Sequence, residues 1–270
     1  MAYKIAWGSN HPGHLVYLVD LSGSMEWNNK IDNVIDVIAD VSDYLCAMSE
    51  EFGKLKNRFS LTILGYNSDI ITLFRGSVID LDKKLQETDG RPMFDKGKEA
   101  KPEGLTYTAK AFKAAADDIR TWISQQNRNN VPTPAPIVIH ITDGHPEESG
   151  RTDSEAMQEA LRAAKDLKSI AVPDGNTLVF NIHIDGKSNG ITMRFPNTTP
   201  NDERRRFLYE ASSEMTDLFS RRANAFGFST RSNSRFMVSN ESDKHILARL
   251  IAFGSSVSSV GDEPREIPKM

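Results

Sequence analysis

Leu15-Val16-Tyr17-Leu18-Val19 is an apolar run that leads directly into Asp20-Leu21-Ser22-Gly23-Ser24. A short apolar run bounded by turn-forming residues is typical of a buried strand. The residues after it place one carboxylate and two hydroxyls at alternate positions of the loop that leaves this strand. Such oxygen groups suit a small hard cation like Mg²⁺, which prefers near-octahedral geometry and bonds of about 2.0–2.1 Å. The stretch therefore predicts a buried strand with a candidate metal loop at its carboxyl end.

Two further stretches carry oxygen groups where a metal site needs them. Gly104-Leu105-Thr106 precedes a predicted helix, and a second apolar run, residues 137–141, leads into Thr142-Asp143-Gly144. The candidate metal ligands are Asp20, Ser22, Ser24, Thr106 and Asp143. Each of them is also an ordinary turn or helix-capping residue. Their combination at two strand ends and one helix start favours a metal site over chance turn chemistry.

Three hydroxyls and two carboxylates give this predicted site a definite chemistry. Neutral hydroxyls complete the coordination without cancelling the charge of the cation. Mg²⁺ would remain electrophilic, with one position open for a carboxylate from outside. A hydrolase would need a positioned base and a reacting water beside the metal, and the sequence shows no compelling general base. The pattern therefore predicts a binding protein, and not an enzyme.

The order of predicted elements indicates the fold class. Strands are predicted at 15–20, 59–66, 70–74, 137–141, 178–184 and 235–238, and helices at 31–52, 78–86, 108–126, 154–169, 202–219 and 243–253. This alternation predicts an α/β fold, a doubly wound, mostly parallel, six-stranded sheet with helices on both faces. Such sheets bind ligands outside the carboxyl ends of their strands. Dinucleotide binding is disfavoured because no Gly-x-Gly-x-x-Gly turn follows the first strand, and Ser22 stands where an Asp-x-Asp phosphotransfer motif needs an aspartate.

The composition is that of an ordinary globular protein. The 270 residues carry a formal net charge of −4, with 39% hydrophobic and 26% charged residues. The chain therefore has no excess of basic residues that would indicate binding to nucleic acid. No apolar run approaches the roughly 20 residues of a membrane helix, and residues 1–13 lack the apolar core of a signal peptide. We expect a single domain over 1–254 and a disordered, serine-rich tail over 255–270. The lone Cys46 is interpreted as a small core residue in a reducing cytoplasm.

The five candidate ligands together form the pattern of a metal-ion-dependent adhesion site, and residues 12–254 resemble the von Willebrand factor A (VWA) domain family. The resemblance implies that Ser22 and Ser24 bind Mg²⁺ directly, that Thr106 does so in the ligand-ready form, and that Asp20 and Asp143 hold coordinated waters. It also implies the strand order 3-2-1-4-5-6 and a Glu or Asp of a partner that completes the metal shell. The sequence leaves open whether Mg²⁺, Mn²⁺ or Ca²⁺ occupies the site.

A narrower resemblance lies downstream. Phe180-Asn181-Ile182-His183-Ile184, Met193-Arg194-Phe195-Pro196 and residues 209–215 (Tyr-Glu-Ala-Ser-Ser-Glu-Met) are similar to bacterial cytoplasmic A-domain proteins of tellurium-resistance and stress-response clusters. Genes of this kind often neighbour a PP2C-type phosphatase and a Ser/Thr kinase. Alternatively, these residues only form strand, loop and helix core.

Several features leave two interpretations open. The polar loop over 88–105 should lie beside the metal, as a specificity loop or as a tolerated insertion. His140 lies within an apolar run and is interpreted as a satisfied core histidine, whereas His145, Glu147 and Glu148 either approach the metal or form a solvated loop. Two charged sets either receive a partner or are solvated surface: the aspartates 32, 36, 40 and 43, and the arginines 204, 205, 206, 221, 222, 231 and 235.

The functional hypothesis is a Mg²⁺-dependent protein-binding module of the bacterial cytoplasm. It would dock an acidic partner residue on the metal and help to assemble a signalling or stress-response complex, with a kinase or phosphatase as candidate partners. The alternatives are an adaptor for an AAA+ ATPase, a metal-dependent phosphatase or hydrolase, and a metal needed only for folding. The sequence does not fix the partner, the oligomeric state, or whether the domain has open and closed forms.

Overall fold

The computed structural model describes residues 3–88, 92–128, 132–185 and 191–255. The strands are β1 (Gly13–Asp20), β2 (Glu50–Glu51), β3 (Lys54–Leu55), β4 (Phe59–Tyr66), β5 (Ile70–Ser77), β6 (Ile137–Thr142), β7 (Ala171–Val172), β8 (Gly175–Asn176), β9 (Leu178–Ile184), β10 (Met193–Arg194) and β11 (Met237–Glu241). The helices are α1 (Lys30–Met48), α2 (Val78–Thr88), α3 (Thr108–Arg128), α4 (Asp153–Ser169), α5 (Glu203–Ala211), α6 (Asp217–Ala223) and α7 (Lys244–Ser255). Short 3₁₀ helices cover Gly23–Asn29 and Asn224–Phe226.

The central sheet has the strand order β10-β11-β9-β6-β1-β4-β5. Its inner strands run parallel, and the edge strands β5 and β10 are antiparallel to their neighbours. The predicted α/β class is confirmed, and so is the order 3-2-1-4-5-6 of the predicted strands. The predicted number of strands is wrong. Met193 and Arg194, in a segment predicted to be irregular, pair with Val238 and Ser239 and make the sheet seven-stranded.

Strand β1 is the centre of the molecule, since every one of its residues is buried between β4 and β6. Leu15, Tyr17 and Val19 face a core formed with α1, α2 and α7, whereas Val16 and Leu18 face a second core formed with α3, α4 and α5. This burial on both faces explains why the strand reads as a continuous apolar run. The strand order reverses between β1 and β6, which brings their carboxyl ends to one edge of the sheet.

Helix α7 completes the first of these cores. Phe253 is surrounded by six other phenylalanine rings, whose centroids lie between 5.6 and 6.5 Å from its own, at positions 180, 195, 219, 226, 228 and 236. Two residues further along, the Ser255 hydroxyl lies 2.6 Å from the buried Tyr17 hydroxyl of β1. Ser255, predicted as the first residue of the tail, is therefore the last residue of α7. The remainder of the predicted tail, 256–270, lies outside the described residues.

The predicted helix over 31–52 ends early, at Met48. Periodicity places Phe52 on its apolar face, but Phe52 forms the turn between β2 and β3 and is 95% exposed. The φ angles of Phe52 and Gly53 are +51° and +69°, a left-handed pair that closes a tight hairpin. Gly53 therefore favours a turn at a position where the spacing of apolar residues predicts a helix.

Two other predicted helices differ in their limits. The helix predicted over 154–169 begins one residue earlier, at Asp153, and its N-cap is Thr152. The side chains of Thr152 and Glu155 each accept a hydrogen bond from the other residue's backbone N–H, which forms a capping box. The single helix predicted over 202–219 is two helices, α5 and α6. Between them the Ser213 N–H donates to the Val179 carbonyl, and the Phe236 N–H donates to the Ser213 carbonyl, both at 2.9 Å. These sheet-like bonds hold the chain extended at the point where the helix was predicted to continue.

Across the described ranges no helix is long and apolar enough to span a bilayer.

Candidate metal centre

Asp20 anchors the loop that leaves β1. The side chain is fully buried, and each carboxylate oxygen accepts one hydrogen bond: Oδ1 from the Ser22 N–H at 2.8 Å and Oδ2 from the Thr142 hydroxyl at 2.6 Å. The first bond turns the chain back after the strand, and the second ties this loop to the end of β6. Asp20 therefore fixes the position of the two serines that follow it.

The side-chain oxygens of Ser22, Ser24 and Asp143 form a linked series at the edge of the sheet. The two serine Oγ atoms are 3.2 Å apart, and the Ser24 hydroxyl donates to Asp143 Oδ1 at 2.7 Å. In an octahedral shell with bonds of about 2.1 Å, neighbouring ligand atoms are about 3 Å apart. The 3.2 Å spacing of the two serines therefore fits neighbouring ligands of a cation the size of Mg²⁺, and the bond to Asp143 fits a carboxylate that orients Ser24 from outside that shell.

Thr106 reaches the same edge on the loop before α3. The Gly23 N–H donates to the Gly104 carbonyl at 3.1 Å, and the Glu103 N–H donates to the Leu21 carbonyl at 2.8 Å, so this loop is tied to the serine loop. A Cβ atom placed on Gly144 would lie 3.4 Å from Thr106 Oγ1, which puts the hydroxyl against the residue after Asp143. All five predicted residues are therefore brought together.

Charge at the site favours a bound cation. The pKa of Asp20 is raised to about 6, chiefly by burial; the hydrogen bonds from Thr142 and Ser22 oppose this rise, and the negative charge of Asp143 adds to it. Two carboxylates that share one water-poor edge repel each other. A cation between them would relieve that repulsion.

Lys30 is a functional candidate that sequence reasoning missed. Its ammonium contacts Asp143 Oδ2 and donates to the Ser24 carbonyl at 3.3 Å. The Lys30 side chain is 12% exposed and the Asp143 side chain 1%, so this is a nearly buried ion pair. Asn28 and Asn29, with φ angles of +57° and +55°, turn the chain so that α1 begins with Lys30 against the site. The asparagine pair, which tolerates this conformation, is the one local signal for it.

A buried hydrogen-bond chain lies beneath the metal loops and explains His140. The Tyr66 hydroxyl lies 2.6 Å from His140 Nε2, His140 Nδ1 lies 2.8 Å from Asn181 Oδ1, and the Asn181 amide donates to the Ser212 hydroxyl at 2.9 Å. Because the Asn181 oxygen is an acceptor, His140 carries its proton on Nδ1 and accepts from Tyr66. The prediction of a satisfied core histidine is confirmed.

His140 should make the fold acid-sensitive. Burial lowers the pKa of its ring from 6.5 to about 4, and the Asn181 hydrogen bond opposes this. The folded ring stays neutral while the unfolded ring binds a proton. Its contribution of about 3 kcal/mol to the free energy of unfolding is therefore present above pH 6.5 and lost as the pH falls to about 4. We expect His140→Gln to lose less stability than wild type between pH 7 and 4 in urea unfolding.

The exposed His245 provides a matched control, because His245→Gln should retain the wild-type pH dependence. Equal losses of stability in wild type and His140→Gln would contradict the prediction.

Most of the other residues with two open interpretations make contacts within the chain itself. Met93, Phe94 and Ala100 of the loop before Thr106 are buried in the first core, so this loop is more than a surface insertion. His145 contacts Arg204 and Asp153, and Glu148 pairs with Arg151 at 3.4 Å.

Part of each charged set is also used internally. Asp32 and Asp36 pair with Lys96 and Lys244, each at 2.9 Å. Arg235 stacks on the ring of Tyr209 and donates to the Ser212 carbonyl at 3.0 Å. Cys46 is buried, which raises the pKa of its thiol to about 12 and agrees with its prediction as a core residue.

Comparison with known proteins bears on the fold. The sequence matches no model of a protein family and no curated protein. Among solved structures it is similar to the manganese-loaded TRAP protein of Plasmodium vivax, with 18% identity over 93% of this chain and 75% of that one, and a TM-score of 0.48. It is also similar to the pilus adhesin SpaC of Lactobacillus rhamnosus GG, with 14% identity over 93% of this chain and 31% of that one, and a TM-score of 0.52.

At these identities the likeness concerns the fold alone, and the chain spans less than a third of the adhesin. The strand order of the sheet and the likeness to SpaC agree with a VWA-like α/β fold.

Proposed function

We propose that this chain is a Mg²⁺-dependent protein-binding module that acts without chemical turnover. The observation that carries the proposal is the linked series of side-chain oxygens in which the Ser22 and Ser24 hydroxyls are 3.2 Å apart and Ser24 donates to Asp143 Oδ1 at 2.7 Å. Ser22, Ser24 and Thr106 would hold the metal through their hydroxyls, and Asp20 and Asp143 through bound water. Mn²⁺ or Ca²⁺ would be alternative occupants. When bound, the cation supplies a Lewis-acidic contact for an oxygen ligand.

The docking group would be a Glu or Asp carboxylate of another protein. The loops around the site support this, because Trp27 lies three residues after Ser24 and is 68% exposed, while Leu105 directly precedes Thr106 and is also exposed. Tryptophan is among the residues in which protein-binding hot spots are enriched, so the exposed Trp27 is a candidate contact for the partner.

We further propose that the partner belongs to a bacterial cytoplasmic signalling or stress-response system, with a Ser/Thr kinase or a PP2C-type phosphatase as the candidates. The support for this step is the downstream sequence resemblance, which includes the core strand β9. An AAA+ ATPase that uses the chain as an adaptor is the alternative partner, and a metal-dependent hydrolase is the alternative function.

A tagged pull-down from the native host tests the proposal, run with Mg²⁺ and with a chelator. The variant is Asp143→Ala, and the control is Asp117→Ala, which removes a carboxylate of an exposed ion pair on α3. We expect a partner that is recovered with Mg²⁺ by wild type and the control, and lost with the chelator or with Asp143→Ala. Identical recovery of the partner in all samples would show that the partner binds at a surface other than the metal centre. Phosphoester turnover that disappears in Ser22→Ala would favour the hydrolase instead.

A further inference from the structure

A cavity of about 540 Å³ adjoins the metal centre. It lies where the N-termini of α4 and α5 meet the carboxyl ends of β9 and β11, and its lining includes His145, His183, Arg204 and Ser239. His145 is two residues beyond Asp143, and His183 pairs in register with Thr142. The cavity and the metal loops therefore share one edge of the sheet.

Ser239 presents an unsatisfied hydroxyl in this cavity lining. The residue lies on β11 and is 1% exposed, and its Oγ atom has no hydrogen-bond partner among the described residues. Buried hydroxyls in native proteins nearly always have a partner. A ligand oxygen in the cavity would supply one.

Arg204 supplies further donors at the rim. Its guanidinium contacts His145 Nδ1 at 3.3 Å and His183 Nε2 at 3.5 Å, and it has no carboxylate partner in the part of the chain that the structure describes. His183 Nδ1 accepts the Asn240 N–H at 3.1 Å, so the proton of the ring lies on Nε2. The Nε2–H already has an acceptor, since the ring of His183 hydrogen-bonds the backbone carbonyl of Asp143. His183 therefore offers Arg204 no acceptor, and the guanidinium is left to take an oxygen ligand from the cavity.

The remaining charges of the cavity select the kind of acceptor. The N-termini of α4 and α5 and the side chain of Arg205 favour an anion. Asp153 pairs with His145 Nε2 at 3.4 Å, Asp202 accepts the Arg205 N–H at 2.9 Å as the cap of α5, and Glu203 is exposed in the first turn. Three acidic groups at the rim disfavour a dianion such as phosphate. They leave a monoanion with two oxygens, a carboxylate, as the better match for an arginine fork.

We propose that this cavity is a carboxylate-binding subsite, which receives a second acidic side chain of the partner that docks on the metal. The assignment of the carboxylate to a partner rests on the proposed function, whereas the subsite itself is built from residues outside the metal loops. A segment with two spaced acidic residues would engage the metal with one and Arg204 and Ser239 with the other. Spacing between the two acids would then select the partner.

An NMR titration with sodium acetate tests the subsite in the full chain. The protein is first freed of metal by dialysis into metal-free buffer without chelator, so that neither a metal nor a polycarboxylate competes. Ionic strength is held constant with NaCl, and the ring signals of His145 and His183 are followed. We expect saturable shifts in wild type and about a tenfold weaker apparent affinity in Arg204→Gln. Ser239→Ala should weaken binding as well. Arg206→Gln is the matched control, since Arg206 is exposed on the same helix and donates to the Pro200 and Asn201 carbonyls.

The outcomes separate the subsite from the metal site. Absent ring shifts, or equal affinity in wild type and Arg204→Gln, would overturn the subsite while leaving Mg²⁺-dependent docking intact. Tighter saturation by inorganic phosphate than by acetate would overturn the assignment to a carboxylate. If acetate binds as expected but partner capture does not depend on Mg²⁺, the proposed metal docking fails and the subsite stands.

Discussion

Asp143→Ala is expected to weaken Mg²⁺ binding by about a hundredfold, the upper range for removing a group that orients a metal shell. Asp143 Oδ1 holds the Ser24 hydroxyl at 2.7 Å, and its carboxylate is one of two that contribute negative charge to the site. The variant therefore loses both the position of Ser24 and half of the carboxylate charge. Isothermal titration with MgCl₂ at pH 7 measures the change.

Asp143→Asn separates charge from position, because the amide keeps the shape and one acceptor oxygen. We expect it to lie between wild type and Asp143→Ala in affinity. Asp117→Ala should bind Mg²⁺ as wild type does, since this exposed carboxylate on α3 pairs with Arg120. Equal Mg²⁺ affinity in wild type and Asp143→Ala would show that Asp143 does not help to hold the metal.

Lys30→Met is expected to have two opposite effects, a Mg²⁺ affinity raised by at least about tenfold and a less stable metal-free protein. An ammonium and a metal ion compete for the same carboxylate, and two unit charges about 4 Å apart repel by about 4 kcal/mol at an effective dielectric constant of 20. Without the ammonium, the nearly buried carboxylate of Asp143 is unpaired. Breaking a buried pair in this way costs about 3–5 kcal/mol.

Thermal unfolding with and without MgCl₂ measures both effects of Lys30→Met together. The metal-free variant should melt below wild type, and saturating Mg²⁺ should raise its melting temperature by more than it raises that of wild type. Lys244→Met is the matched control, because its pair with Asp36 is 39% and 47% exposed and should contribute little. An unchanged Mg²⁺ affinity in Lys30→Met would show that Lys30 does not compete with the metal.

The sequence predicts the sheet and the five oxygen groups because both depend on local patterns. Buried parallel strands such as β1 and β6 read as continuous apolar runs, and the residues that follow them must emerge at the carboxyl edge. With the strand order that the resemblance implies, this rule predicts that Asp20 and Asp143 lie on neighbouring strands at that edge. The serine spacing and the helix start at Thr106 are equally local.

Lys30, the break after α5 and the strand β10 depend on contacts that no local pattern records. Lys30 reads as an ordinary first residue of a helix, and its role comes from Asp143, 113 residues away in sequence. The residues after Ala211 have a helical pattern, but bonds from Ser213 to β9 and to Phe236 keep them extended. Met193 and Arg194 form a strand because β11 presents an open edge to them.

The position of Phe253 has a consequence for how the protein is made. This ring is the centre of the phenylalanine cluster, and Ser255 beside it reaches Tyr17 across 238 residues of sequence. During synthesis β1, β4 and β6 emerge long before α7, so the first core has no centre until the last helix leaves the ribosome. Contacts of such long sequence separation slow folding, and the exposed aromatic surface is prone to aggregate in the meantime.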